Sequence, residues 1–107
     1  NNLTQSNNAI NFYVNLNFKN NVRKMKKNSA YILGKDFFKC PDEVIFRSLS
    51  SLLKKVSGRY YSPRGKSVLR LLDELMNSEY KKLTLSGCII EKFNNSVIIY
   101  KENVKNS

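Results

Sequence analysis

The sequence predicts a small α+β domain of about three helices with two short antiparallel β-hairpins, and three observations predict it. Apolar residues recur at helical spacing in two leucine-rich stretches within residues 41–77 and in an asparagine-rich stretch before them. Two β-branched runs close the chain, separated by a polar pair. The length of 107 residues leaves room for one core, which buries roughly 65% of the surface the unfolded chain exposes.

In chain order, residues 9–25 begin with Ile10, Tyr13, Val14 and Phe18, a spacing that sets an apolar stripe on one face of a helix. The many asparagines here compete with the helical backbone for hydrogen bonds and weaken its first turns. Val22 and Met25, then Ala30-Tyr31-Ile32-Leu33, read as two short strands joined by a polar turn near Lys27-Asn28-Ser29. The result is either a small basic hairpin or a solvated loop whose lysines keep it soluble.

The next helix has both ends written into it. Pro41 suits a first helical position, Asp42 and Glu43 face the positive end of the helix dipole, and Lys54 and Lys55 face the negative end. Gly58 is the stop, and Ile45, Leu49, Leu52, Leu53 and Val56 make the buried face. A further helix is expected from Ser62 as N-cap, with Pro63 in its first turn, to about Asn77, burying Val68, Leu71, Leu72, Leu75 and Met76. The closing runs, residues 82–93 and 96–100, flank Asn94-Asn95, a pair that tolerates the positive φ of a tight hairpin turn. Gly87 interrupts the alternation set by Leu83 and Leu85 and is expected to mark a bulge.

Charge narrows the function. With 19 Lys and Arg against 8 Asp and Glu, the net charge is +11, and such a surface attracts polyanions. No apolar run reaches the roughly 18 residues a membrane span needs, and the first residues lack the pattern of a signal peptide, so a soluble cytoplasmic chain with no membrane partner is expected. The absence of a starting Met and of any acid before Asp36 suggests an excised part of something longer.

Histidine is absent, which removes the commonest general base and the usual nucleophilic triads. Cys40 and Cys88 stand too far apart in sequence for zinc spacing and read as reduced thiols. Ser57-Gly58-Arg59 and Ser86-Gly87-Cys88 lack the glycines of a P-loop. Asp42-Glu43 has a helix-start role, and Glu74, four residues after Arg70, is placed for a surface ion pair.

Between Glu43 and Asp73 there is no acid, and Arg47, Lys54, Lys55, Arg59, Arg64, Lys66 and Arg70 supply seven bases. Two tyrosines sit among them at the break between the helices. Guanidinium groups grip phosphates and aromatic rings stack on bases, so Arg59, Tyr60, Tyr61, Arg64, Lys66 and Arg70 are the first candidate contacts to nucleic acid. Lys24, Lys26 and Lys27 in the basic hairpin are the second set. The amides at the start of the following helix would add an anion site at the same corner. Alternatively, Arg59 and Arg64 cap helix carbonyls while Tyr60 and Tyr61 finish the core.

The stretch Phe46-Arg47-Ser48-Leu49-Ser50-Ser51-Leu52-Leu53-Lys54-Lys55-Val56-Ser57-Gly58 is followed by Tyr61-Ser62-Pro63-Arg64, Leu71-Leu72 and Leu83-Thr84-Leu85-Ser86-Gly87-Cys88. This order resembles the region after the catalytic half of the tRNA(Ile)-lysidine synthases. There a leucine-rich helix ends in Gly, a Pro-Arg pair opens the next helix and a Leu-x-Gly-Cys hairpin follows. The likeness covers residues 22–102, and residues 1–20 match only as a helix entering the domain.

The resemblance implies the C-terminal substrate-binding domain of an enzyme that uses ATP to adenylate the wobble cytidine of a CAU-anticodon tRNA(Ile) and then attaches lysine there. The modified base pairs with A, which switches decoding from Met to Ile. The family's Ser-Gly-Gly-x-Asp-Ser signature is missing from this sequence. The resemblance therefore places ATP, with magnesium, in an N-terminal catalytic domain of the same chain, and assigns no cofactor and no catalytic residue to this piece. The expected partners are tRNA(Ile) and that catalytic domain. Other possibilities are a basic module that docks on an acidic protein, or a general nucleic-acid-binding module without tRNA specificity.

Overall fold

A computed structural model describes residues 2–26, 29–77 and 82–102. The chain runs α1 (Asn2–Asn21), β1 (Val22–Lys24), β2 (Tyr31–Leu33), a 3-10 turn (Lys35–Lys39), α2 (Asp42–Ser57), α3 (Gly65–Asn77), β3 (Lys82–Leu85), β4 (Cys88–Phe93) and β5 (Ser96–Lys101). This is the expected α+β class with three α-helices. The strands, however, do not remain as two separate hairpins. They form one antiparallel sheet in the order β1-β2-β5-β4-β3, because β2 pairs with β5 through Tyr31↔Ile99, Ile32↔Ile98 and Leu33↔Val97. That pairing gives β2 a partner on each side. A two-stranded hairpin alone is only marginally stable in water.

Residues directly opposite one another in a ladder share a face. One face carries Leu33, Ile90, Val97, Ile99 and Cys88, all buried, and the helices cover it. Leu49, Leu52 and Leu53 of α2 and Val68, Leu71 and Leu75 of α3 complete this core. Burial of each such side chain is worth about 1.5–3 kcal/mol. On the opposite face the row Arg23, Ile32, Ile98, Glu91 and Lys82 crosses all five strands. There the Tyr100 hydroxyl donates to the Glu91 carboxylate, and this bond holds the phenol above its usual pKa.

Helix α2 keeps its charged ends and its glycine stop, but Pro41, expected at the first helical position, is the extended residue just before it, with φ −57° and ψ 151°. Gly58 adopts φ 76° and donates its N–H to the Lys54 carbonyl, a left-handed stop that a side chain would strain. Helix α1 differs in its buried face. Val14 is buried and Ile10 and Phe18 are half-buried, but Tyr13 is exposed and the polar Asn17 is buried instead. Asn17 Nδ2 donates to the Phe37 carbonyl at 3.4 Å and to Ser48 Oγ at 3.2 Å, and its Oδ1 accepts from Asn21 at 2.8 Å. Hydrogen bonding makes the burial of this amide tolerable. The helix ends at Asn21, where its carbonyl accepts from Gly34 N–H, and the chain turns directly into β1.

Three other expectations are corrected. Helix α3 begins at Gly65, so Ser62 and Pro63 lie before it, in the link from α2. Its first turn closes with Val68 N–H on the Arg64 carbonyl, which brings the fully buried Val68 into the core. Met76, expected inside, is exposed. Gly87 is not in a bulge. Ser86 and Gly87, with φ 54° and 78°, make a two-residue turn between β3 and β4, with Leu85 opposite Cys88. Two positive φ values suit the right-handed twist of the flanking strands.

Candidate nucleic-acid interface

Sheet register brings several strand ends to one end of the domain. Lys24 closes β1 opposite Tyr31, which opens β2, and Lys101 closes β5 opposite Cys88, which opens β4. The C-terminal turn of α2 lies over the same end. The Lys55 ammonium sits 5.8 Å from the Tyr31 ring centroid and the Lys24 ammonium 6.0 Å from it, so one aromatic ring holds two cations. A methyl group at Gly58 would lie 3.9 Å from Lys101 Nζ, and one at Gly87 would lie 3.4 Å from Arg59 Nη2. The glycine stop of α2 and the glycine of the β3–β4 turn thus have no side chains of their own and are covered by cations.

The backbone leaving α2 is held in place as well. Ser57 Oγ donates to the Lys54 carbonyl at 3.1 Å and accepts from Arg59 N–H at 3.2 Å. The Arg59 guanidinium stands 5.9 Å from the Tyr61 ring centroid, and Tyr61 meets Tyr60 edge to face at 5.6 Å. Beneath them Cys88 Sγ is buried and donates to the Leu53 carbonyl at 3.5 Å. Burial pushes its thiol up to about 11, although Arg59 and Lys101 nearby act in the opposite direction.

The structure thus joins Arg59, Tyr60 and Tyr61 of the first predicted set to Lys24 of the second. Lys26 is exposed in the turn after β1, which Met25 N–H closes on the Ala30 carbonyl at 2.7 Å. Lys27 lies outside the described residues. Tyr60 is 90% exposed and Tyr61 55% exposed, so neither finishes the core.

Arg64 and Lys66 are exposed but belong to a different place. Gly65 between them lies against Phe46, with 3.5 Å from a would-be methyl to its ring. From Phe46 to Gly58 the helix rises about 18 Å, at ~1.5 Å per residue. The amides of α3 therefore do not reach the Arg59 corner as expected, because the link 59–64 carries the chain back alongside α2. Arg70 stands further along, in a cleft with Ser67, Leu71, Glu74 and the β3 residues Leu83, Thr84 and Leu85. It forms no ion pair with Glu74.

Sequence reasoning missed Tyr31, Lys55 and Lys101 as members of this end. Lys55 is counted among the seven bases of the acid-free stretch and assigned to the helix dipole, but is not among the candidate contacts. Lys101 follows Ile99 by two and so shares its face, a signal that becomes readable only once β5 is known to lie beside β2 and β4.

No family model and no solved structure matches the chain. Two curated proteins do. A tRNA(Ile)-lysidine synthase of Wolbachia sp. subsp. Brugia malayi (strain TRS) is 29% identical over 98 residues, which is 91% of this chain and 23% of that protein. This chain is a distant relative of the tRNA(Ile)-lysidine synthases. The tRNA(Ile)-lysidine synthase of Wolbachia pipientis wMel is 25% identical over 96 residues, 89% of this chain and 22% of its own length. The chain thus spans less than a quarter of the lysidine synthases it matches. Among the described residues no helix is long and apolar enough to cross a membrane.

Proposed function

We propose that this chain is the C-terminal tRNA-binding domain of a tRNA(Ile)-lysidine synthase. In this reading it holds tRNA(Ile) so that the wobble cytidine of the CAU anticodon reaches a catalytic domain elsewhere in the enzyme. Lysine ligation, with its ATP and magnesium, belongs to that domain, and the present residues supply position and no bond-making step. The observation that carries the reading is the gathering of Lys24, Lys55, Arg59 and Lys101 at one end of a domain related to lysidine synthases. Ammonium and guanidinium groups in such a row neutralise successive phosphates, which fixes orientation without reading sequence. Lys26 beyond β1 would extend the contact around this end, while Arg64, just before α3, and Lys66 and Arg70 on it would offer a separate basic surface.

Fluorescence anisotropy of a labelled, unmodified tRNA(Ile) transcript with the CAU anticodon tests the reading. With four to six phosphates neutralised, log affinity falls against log salt with a slope of about −3 to −5. Binding that is flat in salt, or no binding at 50 mM salt, refutes it.

A further inference from the structure

We infer that Tyr60 is a stacking platform for one unpaired nucleobase, with Arg59 and Lys101 beside it to hold the adjoining phosphates. The assignment rests on the RNA-binding reading and goes beyond it by naming the part of the RNA that is held. Tyr60 is 90% exposed, although tyrosine ordinarily buries the body of its ring and wets only the hydroxyl. Its orientation is nevertheless set. The Arg59 guanidinium lies over Tyr61, and Tyr61 meets Tyr60 at an interplanar angle of 84°, so a cation and a ring brace Tyr60 while leaving a face open.

The surroundings select the ligand. The only charged side chains from Lys54 to Arg70 are basic, and Lys101 covers the glycine two residues before Tyr60. An open aromatic face among cations suits a base with its own phosphates. A base inside a duplex has both faces covered by its neighbours, whereas an unpaired one can lie flat on a tyrosine. Removing Tyr60 costs the protein little of its own packing, because almost none of the side chain is buried.

The test compares the unchanged chain with Tyr60→Ala and Tyr60→Phe on three probes: the tRNA(Ile) transcript, a single-stranded oligouridine and a blunt RNA duplex. Loss of one stacked base weakens binding by about 5- to 150-fold. Tyr60→Ala should show this loss on the transcript and on oligouridine, stay within about twofold on the duplex, and leave the salt slope unchanged, since no charge is removed. Tyr60→Phe keeps the ring and should match the unchanged chain. If Tyr60→Ala binds oligouridine and the transcript as well as the unchanged chain does, the platform is refuted and RNA binding stands. If the unchanged chain binds no RNA, the RNA reading fails and the platform fails with it.

Discussion

Replacing Lys55 and Lys101 together by alanine removes two of the four cations at the sheet end and leaves Lys24 and Arg59. On a duplex value of about 0.9 counterions released per neutralised phosphate, four contacts give a slope of about −3.6 and two give about −1.8. Between 50 and 200 mM salt the unchanged chain then loses about 150-fold in affinity, and the double variant about 12-fold. The fold should survive the change. Lys55 contributes about 0.3–1 kcal/mol to the end of α2 through the helix dipole and about 0.5–1 kcal/mol over Tyr31, both at an exposed site. Anisotropy titrations at four salt concentrations give the slopes, and a thermal melt of each protein verifies that the folded fraction is comparable. Parallel lines for the two proteins would refute the idea that these lysines neutralise phosphates, whatever the absolute affinities.

Two further outcomes concern the fold itself. Asn17→Ala leaves the Phe37 carbonyl and Ser48 Oγ without their buried donor, which should cost about 1–3 kcal/mol in a urea melt. A change below about 0.5 kcal/mol would show that water replaces the amide there. Cys88 has a thiol held up to about 11 in the folded state, against an ordinary value of 9.0. As pH rises through that window the unfolded chain gives up the proton first, so the stabilisation present below pH 9 is lost progressively towards 11. The melting temperature of the unchanged chain should therefore fall more steeply from pH 9 to 10.5 than that of Cys88→Ala, and identical declines would remove Cys88 from the alkaline transition.

What could be read in the sequence was what neighbouring residues decide. The charges and glycine at the ends of α2, the leucine stripes, and the Asn94-Asn95 turn all act within one or two turns of chain, and each is where periodicity and turn chemistry place it. The burial of Asn17 was hidden because its partners, Phe37 and Ser48, come from elements far along the chain. The same reason explains the 3-10 turn. Its Phe37 is fully buried, but five residues with a single buried side chain carry no period to detect. Gly87 was recognised as a break in alternation, and a turn and a bulge leave the same mark on a sequence until the pairing of Leu85 with Cys88 separates them. For the candidate interface, counting bases found Arg59 and the exposed tyrosines. Sequence nearness wrongly added the start of α3 to that corner and omitted Lys101, which only the sheet brings there.

The pairing of β2 with β5 has a consequence for how the chain is made. β5 is the last strand of the sheet, so until residues 97–99 leave the ribosome, β2 presents an unpaired hydrogen-bonding edge. Nearly the whole domain must be translated before its first strands can be enclosed. A stop codon or frameshift just before Ser96 would therefore do more than trim a terminal strand. It would cut the connection between the β1–β2 ribbon and the β3–β4 hairpin, remove Lys101 from the end that holds Lys24, and leave two open edges of the kind that recruit other nascent chains into aggregates.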